Sequence, residues 1–377
     1  MTAAPSERNA RPRVLVVIGT RPEAVKMAPV IHAFADRPEV QLRVLATGQH
    51  RAMLDQIHGF FGIRPDRDLD LMRPDQSLAD LTARMLTQLE PVLADEAPAL
   101  VLAQGDTTTV MVAALCSFYR NIPFAHVEAG LRTGDLRQPF PEELNRAFVS
   151  RIAALNFAPT QRAAENLLRE GLRPETVQIT GNTVIDALQW TAARVDAAKF
   201  RPKAGKRLVL VTAHRRESFG EPFADLCRGL RRIADRSDVE LLYPVHPNPH
   251  VRSAVQDGLG GHPHVKLVDP LDYPDMVAAM QACDLVLTDS GGVQEEAPTF
   301  GKPVLVLRQV TERPEGVAAG ASRLVGTDPD TIVREASRLL DEPAAYAAMA
   351  SVRNPYGDGK AAQRIVDRCC AFLRSRS

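Results

Sequence analysis

Short, continuously apolar runs alternate with helix-length amphipathic segments along nearly the whole chain. The first half offers Arg13–Ile18, Leu42–Thr47, Leu100–Ala103, Phe124–Val127 and Leu155–Phe157 as strands. The second offers Leu208–Thr212, Glu240–Val245, Val265–Val268, Leu285–Thr288 and Val304–Leu307. Strands apolar at every position are buried on both faces, and intervening helices of this length make parallel crossovers. Two such series predict an α/β protein with two Rossmann-like, doubly wound parallel-sheet domains in tandem. The break is marked by the helical stretch Thr183–Val195 and by Asp196–Arg207, which is rich in Lys, Arg, Ala and Pro and lacks a strand pattern. The organisation read from this is an N-terminal domain over 13–186 and a C-terminal domain over 187–358. A final amphipathic helix over 359–377 has apolar positions at Ala362, Ile365, Val366, Cys369 and Phe372, and its sequence allows packing on either domain.

Length and charge narrow the class. The 377 residues suit two domains, and 45% apolar with 24% charged residues is ordinary for a soluble globular chain. Lys+Arg and Asp+Glu both number 46, and residues 1–186 carry 20 basic against 22 acidic side chains. No basic half exists to follow a phosphate backbone, which argues against nucleic acid as a partner. Apolar runs such as Val14–Ile18 fall far short of the roughly 18 residues of a membrane span, and the polar, Pro-containing N-terminus does not read as a signal peptide. Five scattered cysteines, at 116, 227, 283, 369 and 370, suit reduced thiols, so a cytoplasmic location is expected.

The residues just past the strand ends carry the chemistry. Val14–Ile18 leads into Gly19-Thr20-Arg21-Pro22-Glu23, Leu100–Ala103 into Gln104-Gly105-Asp106-Thr107, and Phe124–Val127 into Glu128-Ala129-Gly130. The carboxyl ends of parallel strands line one crevice, so Arg21, Asp106 and Glu128 are expected to converge although distant in sequence. Any one of them could instead cap a helix, Asp106 before the Thr107–Thr109 run especially. Three after three core-type strands favour a site.

The second half carries phosphate chemistry. Leu285–Thr288 runs into Asp289-Ser290-Gly291-Gly292 and then a helix start. Paired glycines let backbone N–H groups approach an anion at a helix N-terminus. There is no G-x-G-x-x-G and no Walker A loop, which excludes the dinucleotide and P-loop fingerprints and leaves no cofactor implied. Glu296, about a turn further on, is placed to accept bonds from two ribose hydroxyls. His214-Arg215-Arg216-Glu217 and Thr311-Glu312-Arg313-Pro314-Glu315 also come after strands, and could neutralise a diphosphate, Arg216 being read as solvated surface. His246 and His250 have an i,i+4 spacing, but the prolines between them preclude the helix such a pair needs, so no metal site is expected. His32 and His58 fall in predicted helices as packing or surface residues. Two domains, carboxylates on the first and a phosphate and ribose site on the second, facing across a cleft, are the layout of GT-B nucleotide-sugar enzymes.

The chain resembles the non-hydrolysing UDP-N-acetylglucosamine 2-epimerases over residues 13–370. The resemblance lies in GTRPEAVKMAP, TGQHRAMLDQ, QGDTTT, HVEAGLRTGD, PFPEELNR, TGNTVIDAL, AHRRESFG, YPVHPNP, TDSGGVQEEAP, GKPVLVLR, TERPEG and NPYGDG. It implies a homodimer that interconverts UDP-GlcNAc and UDP-ManNAc and supplies ManNAc for bacterial surface polysaccharide. The implied route is loss of UDP to give 2-acetamidoglucal, then its return with a proton delivered to the opposite face at C2.

By the same resemblance Asp106, Glu128 and Glu142 form the carboxylate set, with the order of proton removal and delivery left open. Arg21, Lys26, His214 and Arg313 would stabilise the diphosphate, and Arg146 would belong to the substrate site. Ser290, Gly291 and Gly292 would bind phosphate, Glu296 the ribose, and the loop Leu271–Met276 the uracil. Many members have Gln and Phe in place of Leu271 and Met276. A second UDP-GlcNAc would act as activator at Gln49, Glu142, Arg215 and His246. Some members have Gln and Arg where this chain has Ala52 and Asp75. A hydrolysing epimerase, a GT-B glycosyltransferase and a UDP-sugar sensor share the fold and remain as alternatives.

Overall fold

The computed structural model describes residues 11–48, 51–73, 75–215 and 220–376, and of residues 51–53 the backbone alone. Its chain divides into two compact units. One comprises Met1–Ala187 with Gly357–Ser377, the other Leu188–Tyr356. The chain thus crosses from the first unit to the second and back again.

In the first unit seven strands form one parallel sheet: β1 (Arg13–Ile18), β2 (Gln41–Ala46), β3 (Arg67–Asp68), β4 (Leu100–Gln104), β5 (Phe124–Val127), β6 (Leu155–Ala158) and β7 (Val177–Ile179), in the order β3-β2-β1-β4-β5-β6-β7. Alternate residues of β1 serve opposite layers. Leu15 and Val17 join Met85, Leu89 and Val110 from the helices Leu78–Glu96 and Thr108–Tyr119. Val14, Val16 and Ile18 are equally buried on the opposite face, as the two-residue periodicity of a strand requires.

The second unit repeats the plan with β8 (Arg207–Thr212), β9 (Val239–Pro244), β10 (Val265–Val268), β11 (Leu285–Thr288), β12 (Val304–Val306) and β13 (Ser322–Leu324), ordered β10-β9-β8-β11-β12-β13. Val209 and Val211 pack with Phe223, Val255 and Ile332, while Leu208 and Leu210 pack with Val277 and Met280. Both units are therefore Rossmann-like doubly wound sheets. In each the chain reverses direction across the sheet between its first and fourth strands, and the loops leaving those two strands sit side by side.

The ten strands expected from apolar runs are all present. Three more among the described residues are not apolar runs: β3 is two exposed residues, β7 is only half buried, and β13 begins Ser-Arg. Each lies at a sheet edge, where one neighbour suffices and burial does not select the residues. The last helix, Ala361–Arg374, packs on the helix Arg21–Ala35 of the first unit. Its free N-terminal N–H groups at Ala361 and Ala362 are accepted by the Asp186 carboxylate, at 3.2 and 2.8 Å. Among the described residues no helix is long and apolar enough to cross a membrane.

Candidate active site

The loops after β1, β4 and β5 carry the first unit's functional groups. Glu128, directly after β5, is held at φ 66°, in the left-handed region that costs a non-glycine residue roughly 1–3 kcal/mol. The turn aims its carboxylate at three donors. Lys26 Nζ lies 2.6 Å from Oε1, Asn182 Nδ2 donates at 2.9 Å, and the Gln104 amide donates to Oε2. Lys26 is thus the partner of a carboxylate here, which is where its charge goes.

Asp106 comes after β4. The cap of the next helix is not Asp106 but Thr107, whose hydroxyl accepts from Val110 N–H at 3.4 Å. That leaves the Asp106 carboxylate for Arg146 Nε at 2.8 Å, while its backbone oxygen accepts from Asn145 at 2.7 Å. Arg146 is buried and also bonds Glu143 at 3.0 Å. Beneath lies His126, fully buried, one ring nitrogen 2.7 Å from the Gly105 oxygen; burial pushes its imidazole down to about 4, so it stays neutral.

Glu142 opens the helix Glu142–Ile152. One of its carboxylate oxygens is buried and has no hydrogen-bond partner among the described residues. A buried acceptor without a donor is costly unless something else approaches it. Arg21, at the start of its helix, is exposed.

Glu23, in the first turn of the helix after β1, is a residue that the sequence reading does not single out. It is 2% exposed, accepts N–H groups of Gly19 and Thr20, and bonds the Thr107 hydroxyl. Burial outweighs these donors and lifts its carboxyl to about 7, with Asp106 adding a smaller upward push.

In the second unit the loops after β8 and β11 are joined by Asp289. Its buried carboxylate accepts His214 N–H at 2.6 Å and Arg215 N–H at 2.7 Å, with His214 Nδ1 at 3.5 Å from its other oxygen. The His214 ring stacks on His246 at 5.0 Å between centroids. Burial first, then the neighbouring His214, holds His246 below its usual range.

After β11, Ser290 precedes the short helix Gly291–Glu296. Neither glycine has a left-handed φ, and an added Cβ would meet nothing closer than Arg313 at 3.6 Å or Ser290 at 3.9 Å. Folding does not demand glycine at either position; the bare backbone leaves room for a group from outside. Arg313 lies over Gly291, pairs with Glu295, and its backbone oxygen accepts the Tyr356 hydroxyl at 3.0 Å. Glu296 is buried one turn along, close enough to the Tyr273 phenol to add, after burial, to what holds that hydroxyl well above its usual range.

Leu271–Met276 is loop only as far as Asp272, which caps the helix Tyr273–Ala282; Met276 is helical, and both Leu271 and Met276 are partly buried against the core. His246 and His250 are on different elements, since only His250 belongs to the helix Pro249–Leu259. Gln49 and Arg216 lie outside the described residues. Asp289, Glu23 and Asn182 all stand inside motifs visible in the sequence, but no local pattern distinguishes a clamping carboxylate from a loop residue.

A family model for UDP-N-acetylglucosamine 2-epimerase matches residues 32–369. The chain belongs to the UDP-N-acetylglucosamine 2-epimerase family. It is 50% identical to the Escherichia coli K12 UDP-N-acetylglucosamine 2-epimerase over 366 residues, covering 94% of this chain and 97% of the relative. It superposes on the Neisseria meningitidis UDP-GlcNAc 2-epimerase, solved bound to UDP-GlcNAc, with TM-score 0.88 and 42% identity over 95% of this chain and 100% of the other. The Methanocaldococcus jannaschii UDP-GlcNAc 2-epimerase, solved with UDP-GlcNAc and UDP, gives TM-score 0.79 and 31% identity over 96% and 99%. After its strands the first unit carries the carboxylates of Asp106 and Glu128; the second carries His214, the bare backbone of Gly291 and Gly292, and the buried Glu296.

Proposed function

We propose that this epimerase interconverts UDP-GlcNAc and UDP-ManNAc without net hydrolysis, through 2-acetamidoglucal. The C2 hydrogen of the sugar is barely acidic, and expulsion of UDP from C1 makes its removal feasible. In the forward direction one carboxylate of the Asp106, Glu128 and Glu142 set takes the C2 proton as the C1–O bond breaks and UDP leaves. A second protonates C2 from the opposite face while UDP re-adds at C1, so atoms and charge balance. The observation that carries this reading is the contrast among the three carboxylates. Asp106 is bonded to Arg146 and Glu128 to Lys26, whereas Glu142 keeps a buried oxygen with no donor among the described residues, so the three are not equivalent as proton carriers.

The departing diphosphate would be met by Arg21, His214 and Arg313 and by the backbone at Ser290, Gly291 and Gly292, with Lys26 moving its charge between Glu128 and phosphate. Glu296 would hold the ribose and Leu271–Met276 the uracil, largely through backbone. We place the enzyme in the cytoplasm as a homodimer supplying ManNAc units for surface polysaccharide. A second UDP-GlcNAc would activate it at Gln49, Glu142, Arg215 and His246.

The test is incubation with UDP-GlcNAc alone, with the anomeric signals monitored by NMR. UDP-ManNAc with deuterium at C2 in D₂O is the expected result. Free ManNAc with UDP would indicate the hydrolysing reaction, and an unchanged sugar would leave a transferase or a sensor. Retention of the original hydrogen at C2 would rule out the elimination route.

A further inference from the structure

We infer that Glu23 is a positioning residue for catalysis, clamping the loop that carries Arg21 to the loop that carries Asp106 through the hydroxyl of Thr107. The inference rests on the acid–base role proposed for Asp106.

Helix capping accounts for only part of what Glu23 does. A glutamate at the third helical position commonly turns back to accept N–H groups at the helix start, and Glu23 accepts those of Gly19 and Thr20. The bond from Thr107 is a different matter. It comes from a residue 84 positions away, on the loop after β4, and a cap does not require it. Thr107 in turn uses the same oxygen to accept from Val110 N–H and start its own helix. One hydroxyl therefore joins the first turn of one helix to the first turn of the next across the reversal point of the sheet.

The two loops are also in direct contact. A Cβ on Gly19 would come within 2.2 Å of Thr109 Oγ1 and 3.0 Å of Thr47 Oγ1. Those two threonine hydroxyls are themselves 3.2 Å apart. Asp106 is consequently fixed on three sides: Asn145 on its backbone oxygen, Arg146 on its carboxylate, and Glu23 through the next residue. A carboxylate is an expensive way to build a structural link at a site this buried, since desolvation lifts it to about 7 in spite of three donors. Placement of a reacting group to within a fraction of an ångström is the function that such an arrangement serves. Displacement by about 1 Å can cost on the order of 100-fold in rate.

The experiment uses the full-length enzyme with Glu23→Gln, Thr107→Val, Thr107→Ser and the Glu23→Gln/Thr107→Val double variant, alongside Asp106→Asn. We expect Glu23→Gln and Thr107→Val each to lower kcat about 10–30-fold, with KM and UDP affinity within about 3-fold of wild type. Thr107→Ser, which keeps the hydroxyl, should recover most of that loss. The double variant should be no worse than the poorer single, because both remove the same link. A folded Glu23→Gln with wild-type kcat, or losses that multiply in the double variant, would overturn the inference. Should Glu23→Gln fail to fold, the Thr107→Val and Thr107→Ser pair decides: equal kcat in the two overturns it. If Asp106→Asn itself keeps its turnover, the failure belongs to the acid–base reading. If Asp106→Asn is inactive while both clamp variants are normal, the failure belongs to the clamp alone.

Discussion

The two units share a strand order and a reversal point, yet they furnish those points differently. In the first, the loops after β1, β4 and β5 present acidic groups: Asp106 bonded to Arg146, and Glu128 held in a left-handed turn against Lys26. In the second, the loops after β8 and β11 present His214, Arg215 and the unhindered backbone of Gly291 and Gly292. Each unit also holds its two central loops together with a buried carboxylate. Glu23 reaches from the first strand's side toward Thr107, whereas Asp289 reaches from the fourth strand's side to the backbone of His214 and Arg215. Threonine hydroxyls also meet in both, though at different places: Thr47 after β2 with Thr109 in the helix after β4, and Thr212 at the end of β8 with Thr288 at the end of β11. The same scaffold thus presents acidic side chains at the strand ends of one copy, and cations with unhindered glycine backbone at those of the other. In both copies a carboxylate takes the N–H groups just after the first strand, Glu23 those of Gly19 and Thr20 and Asp289 those of His214 and Arg215; the copies differ after the fourth strand, where one has Asp106 and the other two glycines.

The sharpest way to break this comparison is to remove the acidic groups. Asp106→Asn, Glu128→Gln and Glu142→Gln should each lower turnover by about 10²–10⁴-fold with UDP binding largely kept. Steady-state kinetics beside calorimetric UDP titration would show whether the effect stays on the chemical step. Near-normal turnover in all three would remove the first unit from the acid–base work.

The second unit should respond in the opposite sense. His214→Ala and Arg313→Ala are expected to weaken UDP by about 10-fold or more and to slow turnover, as loss of a charged hydrogen-bond partner does. Glu296→Ala should act mainly on UDP affinity. Gly291→Ala adds a methyl group that the fold has room for, so its UDP affinity should fall with no change in melting temperature. Unchanged UDP affinity across these variants would take the nucleotide away from the Ser-Gly-Gly turn.

A smaller effect is expected at the proposed activator site. Pure UDP-ManNAc supplies no activator until product forms, so the reverse reaction should begin with a lag that a trace of UDP-GlcNAc abolishes. The Ala52 and Asp75 changes should raise the amount of UDP-GlcNAc needed by about 2–10-fold, the worth of a hydrogen bond, rather than abolish activation. A lag-free hyperbolic progress curve would mean that these changes have disabled the second site.

The smallest effect is on stability. Glu23 titrates near 7 in the fold against 4.5 for the free side chain. Between those values the unfolded chain has lost a proton that the folded chain keeps, so Glu23 lowers stability as pH rises through that window, by about 3 kcal/mol at most. His126 works the other way: near 4 in the fold against 6.5 when free, it makes stability rise with pH between those values. The melting temperature of Glu23→Gln relative to wild type should therefore climb by a few degrees between pH 5 and 7.5. A difference that is flat or falls over that range would contradict the buried, proton-retaining state of Glu23.

The sequence by itself determined the fold class, ten of the strands and most of the residues at their ends. Fully buried parallel strands are continuous apolar runs, and the loop after such a strand is adjacent to it in the chain, so both signals are local. The edge strands β3, β7 and β13 escaped because an edge position exerts little selection for apolar residues. The tertiary structure alone decided that Gly357–Ser377 returns to the first unit, since the carboxylate that caps its helix, Asp186, lies about 175 residues earlier. It alone decided that Thr107 rather than Asp106 caps its helix, that Lys26 pairs with Glu128, and that Glu23 and Asp289 tie neighbouring loops together. Each of these is a choice of partner for a buried polar group. Such a group must find a donor or acceptor once water is excluded, and which one it finds depends on what the sheet order brings alongside it.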